Sequence, residues 1–346
     1  MSRGSLCVQT PLESTGSSSH QKAYRIVSLQ DVRAHKASLK NLGPGLVACI
    51  PVGGTSGIGL YTAREFVRYT ISPRVYLVGR NEVEAKRTID ELHSVNPDGK
   101  VQFIKSDVSL LKEVDKACDE ILRTANRVNL LFLSCGMMST GGRDETTEGL
   151  DKSSACHYYA RMRFINRLLP RLARAAGDDS NPSLSRVVSV LGAGHESKLY
   201  LDDLDLKKNY SVSNCAGQAT TMTSLIMGEF ARRHPSTTFI HAYPGIVKSG
   251  IARGLGPMMR YVAGAVMFLG HPWMVPQRES GERNLFASTR ESSTSAIGAD
   301  GVRGSGAYLV HWDGSEVGKE KVLRVYQEGD VSETVWEHTL EVLNSC

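Results

Sequence analysis

Leu46-Val47-Ala48-Cys49-Ile50-Pro51-Val52-Gly53-Gly54-Thr55-Ser56-Gly57-Ile58-Gly59 is the stretch that decides the fold. An apolar run ends in a glycine-rich loop, and an amphipathic segment from Tyr61 to Tyr69 follows. The order is strand, loop, helix. Gly53, Gly57 and Gly59 stand where a phosphate-binding loop needs no side chain. They permit a tight turn, close approach of backbone to a pyrophosphate, and close packing of helix on strand. Thr55, Ser56 and Ile58 complete the loop, and the N–H groups at the start of the helix face phosphate.

Outward from this unit, strand and helix patterns alternate. Apolar runs at 46–52, 74–78, 101–106, 129–134, 186–191, 237–242 and 307–311 read as strands. Helical periodicity fills 58–69, 82–93, 111–125, 148–176, 214–233 and 258–269, and a last helical face runs through Val331, Val335, Leu340 and Leu343. Such alternation predicts one doubly wound α/β domain, with a mainly parallel seven-stranded sheet and its ligand at the carboxyl ends of the strands. Residues 1–20 are rich in Ser, Gly and Thr and read as a disordered tail. Residues 21–44 read as a short extension whose helical pattern (Val27, Leu29, Val32, Leu39) packs on the edge of the domain at 45–346. Residues 288–305, rich in Ser, Thr and Gly, read as a loop.

The 346 residues, 41% hydrophobic and 22% charged, suffice for one large core and match an ordinary soluble chain. The net charge of +5 comes from scattered Lys and Arg, which argues against a nucleic-acid surface. Seven cysteines, an odd number without metal-ligand spacing, argue against a metal site. With no signal-peptide pattern, they fit reduced thiols in the cytoplasm. The most apolar run, 261–269, is too short to span a bilayer, so no transmembrane segment is expected.

The Gly-x-x-x-Gly-Ile-Gly loop after the first strand resembles that of the short-chain dehydrogenase/reductase family, and the likeness extends over about residues 45–315. After the second strand stands Arg80, where an acidic residue would hold the ribose 2′-hydroxyl of NAD; a cation there favours the 2′-phosphate of NADP. Asp107, after the third strand, matches the residue that caps the adenine pocket, with an N-cap role for the helix near Leu110 as the structural alternative. Ser134 and Gly136 lie where the family has Asn-Asn-Ala-Gly. Pro244, Gly245, Val247 and Ser249 match the stretch that touches the nicotinamide.

The family's proton-handling residues are a serine, a tyrosine, a lysine and a supporting asparagine, and the chain departs from all four. The serine position falls at Gly192, with Ser189 earlier in the strand. The tyrosine position falls within Asn214-Cys215-Ala216 and the lysine within Gln218-Ala219-Thr220. The asparagine aligns near His157. Tyr210, one helical turn before Asn214, and His157 are the candidate catalytic residues. Tyr158, Tyr159, His195 and Glu196 are possible helpers. Arg161, Arg163, Arg167, Arg171 and Arg174 read as the solvated face of a long helix.

The resemblance thus implies an NADP-linked oxidoreductase acting on a small-molecule carbonyl or alcohol. The chain is similar to divergent members from fungal secondary-metabolite pathways, and such relatives often pair through their long helices. Because the Ser-Tyr-Lys positions are not retained, two other readings stay open. One is a non-redox enzyme on the same fold, such as a cyclase, isomerase or dehydratase. The other is a catalytically silent NADP-binding sensor or partner protein.

Overall fold

The computed structural model describes residues 26–51, 56–137, 141–176, 184–248, 261, 274–290, 306–317, 321–327 and 329–346. The expected tail at 1–20, loop residues Gly53 and Thr55, and Ser249 lie outside them, as does the helix expected at 258–269 apart from Tyr261.

Seven strands form one sheet: β1 (Val47–Pro51), β2 (Arg74–Gly79), β3 (Lys100–Lys105), β4 (Leu130–Leu133), β5 (Arg186–Val190), β6 (Thr238–Ala242) and β7 (Ala307–Val310). Their order is β3-β2-β1-β4-β5-β6-β7. Every pairing is parallel, with registers that include Val47 beside Arg74, Ala48 beside Leu130, and Arg186 beside Thr238. The winding reverses between β1 and β4, which opens a crevice beyond their carboxyl ends.

The helices are α1 (Leu29–Ser38), α2 (Gly57–Tyr69), α3 (Glu82–Val95), α4 (Leu111–Thr124), α5 (Lys152–Ser154), α6 (Ala160–Ala176), α7 (Val212–Arg233), α8 (Gln277–Thr289), α9 (Lys321–Gln327) and α10 (Val331–Ser345). A π-helical turn, Ala155–Tyr159, joins α5 to α6. The sheet is buried on both faces, so its strands are nearly continuous apolar runs. Successive side chains along β1 serve opposite cores. Cys49 packs with Val114 and Cys118 of α4, Phe164 of α6 and Ile226 of α7. Ala48 and Ile50 pack with Phe66 of α2 and Leu285 of α8.

Helix α8 was not expected, and residues 288 and 289, read as loop, belong to it. Its sequence, Gln-Arg-Glu-Ser-Gly-Glu-Arg-Asn-Leu-Phe-Ala-Ser-Thr, carries almost no apolar stripe. It is nevertheless buried because its polar groups are satisfied locally. Ser288 Oγ donates to the Asn284 carbonyl at 2.6 Å and Thr289 Oγ1 to that of Leu285 at 2.7 Å. Gly281 lies so close to α2 that a Cβ there would collide with the Tyr61 carbonyl.

A buried ionic cluster locks α1, α2 and α8 together. Lys36 Nζ lies 3.0 Å from Glu65 and 2.7 Å from Glu282, and all three side chains are almost fully buried. Burial alone would push the Glu282 carboxyl up, but the hydrogen bonds and charges of Lys36 and Arg33 outweigh it and hold it below its usual range. The stabilisation from Glu282 is therefore complete above the ordinary carboxylate range and is lost as pH falls through its lowered value. Lys36→Met leaves two buried carboxylates short of a partner and is expected to cost about 3 kcal/mol. Urea unfolding checks this; an unchanged midpoint would contradict it.

Candidate active site and cofactor crevice

Helix α2 starts at the carboxyl end of β1, at the switch point. Gly57, its first residue, has φ +64°, in the left-handed region that side chains disfavour. Its N-cap Ser56 makes no side-chain cap bond, whereas Ser28, Asn81 and Ser211 cap α1, α3 and α7. Backbone N–H groups at the start of a helix suit an anion. Ile58 and Gly59 follow in this turn, with Gly59 buried.

Arg80 follows β2 and Asp107 follows β3. Their charged groups approach to 3.8 Å while both side chains stay well exposed, so the pair is weak and leaves the guanidinium accessible. Asp107 does not cap α4. Its Oδ1 accepts from the N–H and hydroxyl of Ser109 in a tight turn. Glu148 caps α4 instead, accepting from the N–H groups of Leu111 (2.6 Å) and Lys112 (3.0 Å). Its place in a distant loop hid that role from the sequence.

Beyond β6, Pro244 and Gly245 turn the chain. Gly245 has φ +71°, and a Cβ on it would come within 3.1 Å of both Trp312 and Val275. Val247 forms a bridge with Val275 and packs with it against Tyr61 of α2. The Tyr61 hydroxyl donates to the Lys248 carbonyl at 3.0 Å. The expected nucleotide-facing segments, the α2 start and the turn after β6, thus meet across the crevice. Ser134 and Gly136 follow β4, and a Cβ on Gly136 would press to 3.1 Å from His157 Nε2.

Next to this crevice lies a largely apolar cleft of about 410 Å³. Its wall includes Met137, Leu191, Val212 and Tyr243, together with both catalytic candidates, Tyr210 and His157. The structure therefore brings these two to one cavity, but not as the sequence reading supposed. Helix α7 begins at Val212 with Ser211 as its N-cap, so Tyr210 lies in the preceding loop rather than on the helix. Ser153 and Asp151 are the groups that act on its hydroxyl. Burial pushes the phenol up from its ordinary value; the Ser153 hydrogen bond pulls the other way and the Asp151 charge adds to the rise. Asp151 is buried and accepts from the backbone N–H groups of Ser154 (2.9 Å) and Asp144 (3.1 Å). Neither Ser153 nor Asp151 was foreseen. Only their position at the start of the helical run pointed to the cleft.

His157 sits in the π-helical turn, a distortion frequent at functional sites. Its Nε2 accepts the N–H of Met137 at 3.2 Å, which places the ring proton on Nδ1, a buried atom without a partner among the described residues. Burial and the nearby charge of Arg161 lower its pKa to about 4. The ring is therefore neutral between pH 6 and 7.

Tyr158 and Tyr159 do not reach the cleft. Their hydroxyls pair with Thr339 (2.7 Å) and His338 (2.8 Å) of α10. The arginine stripe is likewise not a solvated face. Arg161 is fully buried and binds the carbonyls of Cys135 and Val190 and the Ser189 hydroxyl, where β4 and β5 end. Arg163 and Arg167 turn to Asp115 on α4, and Arg171 donates to the Leu122 carbonyl; only Arg174 is exposed. By spacing, Arg163, Arg167, Arg171 and Arg174 share one helical face, and spacing alone does not tell that α4 covers part of it.

His195 lines the cleft edge-on to Tyr243, with ring centroids 4.6 Å apart. Glu196 accepts from Ser224 Oγ at 2.6 Å, and Ser224 contacts His241 Nδ1 at 2.7 Å. His241 Nε2 in turn accepts the Gly192 N–H at 3.1 Å. This chain of bonds pins the loop after β5, and burial drives His241 down to about 3, so it is neutral throughout the physiological range. Among the described residues no His, Cys, Asp and Glu group has the geometry of a metal site, and no helix is long and apolar enough to cross a membrane.

Comparison with known proteins agrees with this architecture. Residues 47–253 match the family model for short chain dehydrogenase. Oxidoreductase AN1596 of Emericella nidulans is 41% identical over 339 residues, covering 93% of this chain and 99% of that protein. Oxidoreductase andH of Emericella variicolor is 36% identical, covering 92% and 97%. Among solved structures, the NADPH-bound carbonyl reductase from chicken fatty liver superposes with a TM-score of 0.55 at 15% identity, over 80% of this chain and all of that one. The chain belongs to the short-chain dehydrogenase/reductase family, as an oxidoreductase with a single all-parallel Rossmann-like sheet.

Proposed function

We propose that this protein is an NADP(H)-dependent reductase of a largely apolar small-molecule carbonyl compound, acting in a fungal biosynthetic pathway. Residues 45–346 form the working domain and 21–44 brace it through Lys36. The observation that carries the chemistry is the placement of Tyr210 in the cleft, under the influence of Ser153 and Asp151 and with no cation among the described residues that shifts it. A phenol in that setting holds its proton firmly. It remains acidic enough to protonate a developing alkoxide, but it is a poor base for removing an alcohol proton at neutral pH. The direction supported is therefore reduction.

The residues fit the cofactor. The first turn of α2, with left-handed Gly57, suits the pyrophosphate, and exposed Arg80 suits the 2′-phosphate. Asp107, Ser134, Gly136, Pro244, Gly245 and Val247 would border the adenine and nicotinamide ends. When bound, the dinucleotide supplies hydride. The chain positions the carbonyl in the apolar cleft, keeps water from it with Met137, Leu191 and Val212, and gives the proton from Tyr210 Oη. The pathway assignment draws support from the whole-length likeness to oxidoreductases of fungi.

Arg80→Asp removes a charge-assisted contact worth about 1.5–3 kcal/mol, so NADPH should bind roughly 10- to 100-fold more weakly. NADH affinity should hold or improve. Fluorescence titration of both cofactors tests this, and equal affinities in the unmutated protein would remove the NADP assignment.

A further inference from the structure

Among the buried hydroxyl residues of α7, Thr220 is the one whose hydroxyl makes no hydrogen bond among the described residues. Thr221 Oγ1 donates to the Ser197 carbonyl at 2.8 Å, and Thr223 Oγ1 to the Ala219 carbonyl at 2.7 Å. Ser224 is engaged by Glu196 and His241. A threonine inside a helix commonly turns its hydroxyl onto the carbonyl four residues back, as Thr62, Thr70 and Thr289 do here. Thr220 does not. It is only 6% exposed, it lines the cleft with Tyr210 and His157, and its Oγ1 has no hydrogen-bond partner among the described residues.

Gly192 explains the rotamer. A Cβ built on Gly192 would stand 2.8 Å from Thr220 Oγ1 and 3.2 Å from its Cγ2. The hydroxyl therefore fills the space that a side chain on the β5 loop would take. That loop is held in place by the bond from Gly192 N–H to His241. Because the Gly192 N–H is already engaged, it does not compete for an oxygen placed in the cleft. The hydroxyl opens onto the cleft, where a ligand acceptor would take the place of water.

We propose that Thr220 Oγ1 donates the hydrogen bond that orients the substrate carbonyl, replacing from α7 the hydroxyl absent at Gly192. This rests on the reductase reading above. It assigns to the site a ketone or aldehyde whose bulk is apolar, with its oxygen directed at Thr220 and Tyr210.

The probe is trans-1-decalone, ¹³C-labelled at its carbonyl, bound to the full-length protein loaded with NADP⁺ and read by difference infrared spectroscopy. The carbonyl stretch should fall at lower frequency in the unmutated protein and in Thr220→Ser than in Thr220→Val. In parallel, kcat/KM for decalone reduction should drop about 10- to 100-fold in Thr220→Val and recover in Thr220→Ser, with NADPH affinity unchanged. Thr220→Ala serves as the second variant lacking the hydroxyl if the valine disturbs folding. An unshifted stretch with undiminished kcat/KM, or no binding of decalone, overturns the assignment. A Thr220-dependent stretch without any consumption of NADPH upholds the carbonyl contact and overturns the reductase reading alone.

Discussion

Tyr210→Phe lowers the rate of carbonyl reduction by about 10²- to 10⁴-fold, with NADPH affinity unchanged. The substitution keeps the ring that lines the cleft and removes only the proton donor. The pH profile carries the rest of the argument. Burial and Asp151 hold the phenol above its ordinary value, so the donor form persists throughout neutral pH. Reduction should be flat from about pH 6 to 9, whereas oxidation of the product alcohol should climb with pH towards and beyond about 10, where an unperturbed tyrosine titrates. His157 adds no inflection between pH 6 and 7, because its ring is neutral down to about 4. Asp151→Asn removes the charge that raises the phenol and should move the oxidation profile to lower pH. A reduction profile that breaks between 6 and 7, or full turnover in Tyr210→Phe, would contradict this assignment.

Gly57→Val abolishes measurable NADPH binding, with an expected loss of at least about 100-fold. Two effects add. A β-branched residue at φ +64° is strained by roughly 1–3 kcal/mol. Its methyl groups also stand at the N–H groups of the first turn of α2, where the pyrophosphate must approach. The strain alone lowers the melting temperature modestly; the steric block acts on the nucleotide. Calorimetric titration separates the two, and a folded variant that binds NADPH at full affinity would show that this turn is not the phosphate site.

Sequence and structure agree where side-chain pattern is enough. All seven strands lie within a residue or two of their apolar runs, because a parallel strand covered on both faces is apolar along its whole length. The glycines at 57 and 245 were legible because left-handed backbone admits few alternatives. Helix α8 was not legible, since its burial depends on hydroxyl-to-carbonyl bonds, on Gly281 against Tyr61, and on Glu282 meeting Lys36 from a helix far earlier in the chain. Arg161 looked solvated because nothing local announces that carbonyls from β4 and β5 converge on it.

The site was half legible. Tyr210 and His157 do share a cavity, yet the helix start at Val212 changes how Tyr210 gets there. The group that tunes Tyr210 is a carboxylate, Asp151, which is separated from it by 59 positions in sequence. Thr220 was noted only as a failure to supply lysine. Its unused hydroxyl becomes visible once Gly192 is placed against it.

Under the reductase proposal, hydride passes from NADPH to a carbonyl carbon in the cleft beside Tyr210. The most direct measurement is a single-turnover reaction of the protein with NADPH deuterated at C4 of the nicotinamide, in each of its two stereochemical forms, and a panel of apolar ketones that includes trans-1-decalone. The expected product is an alcohol bearing one deuterium at the former carbonyl carbon, from one of the two forms and not the other, formed far more slowly by Tyr210→Phe. Tight binding of NADPH with no deuterium delivered to any ketone, or a converted product that retains no label, would contradict it.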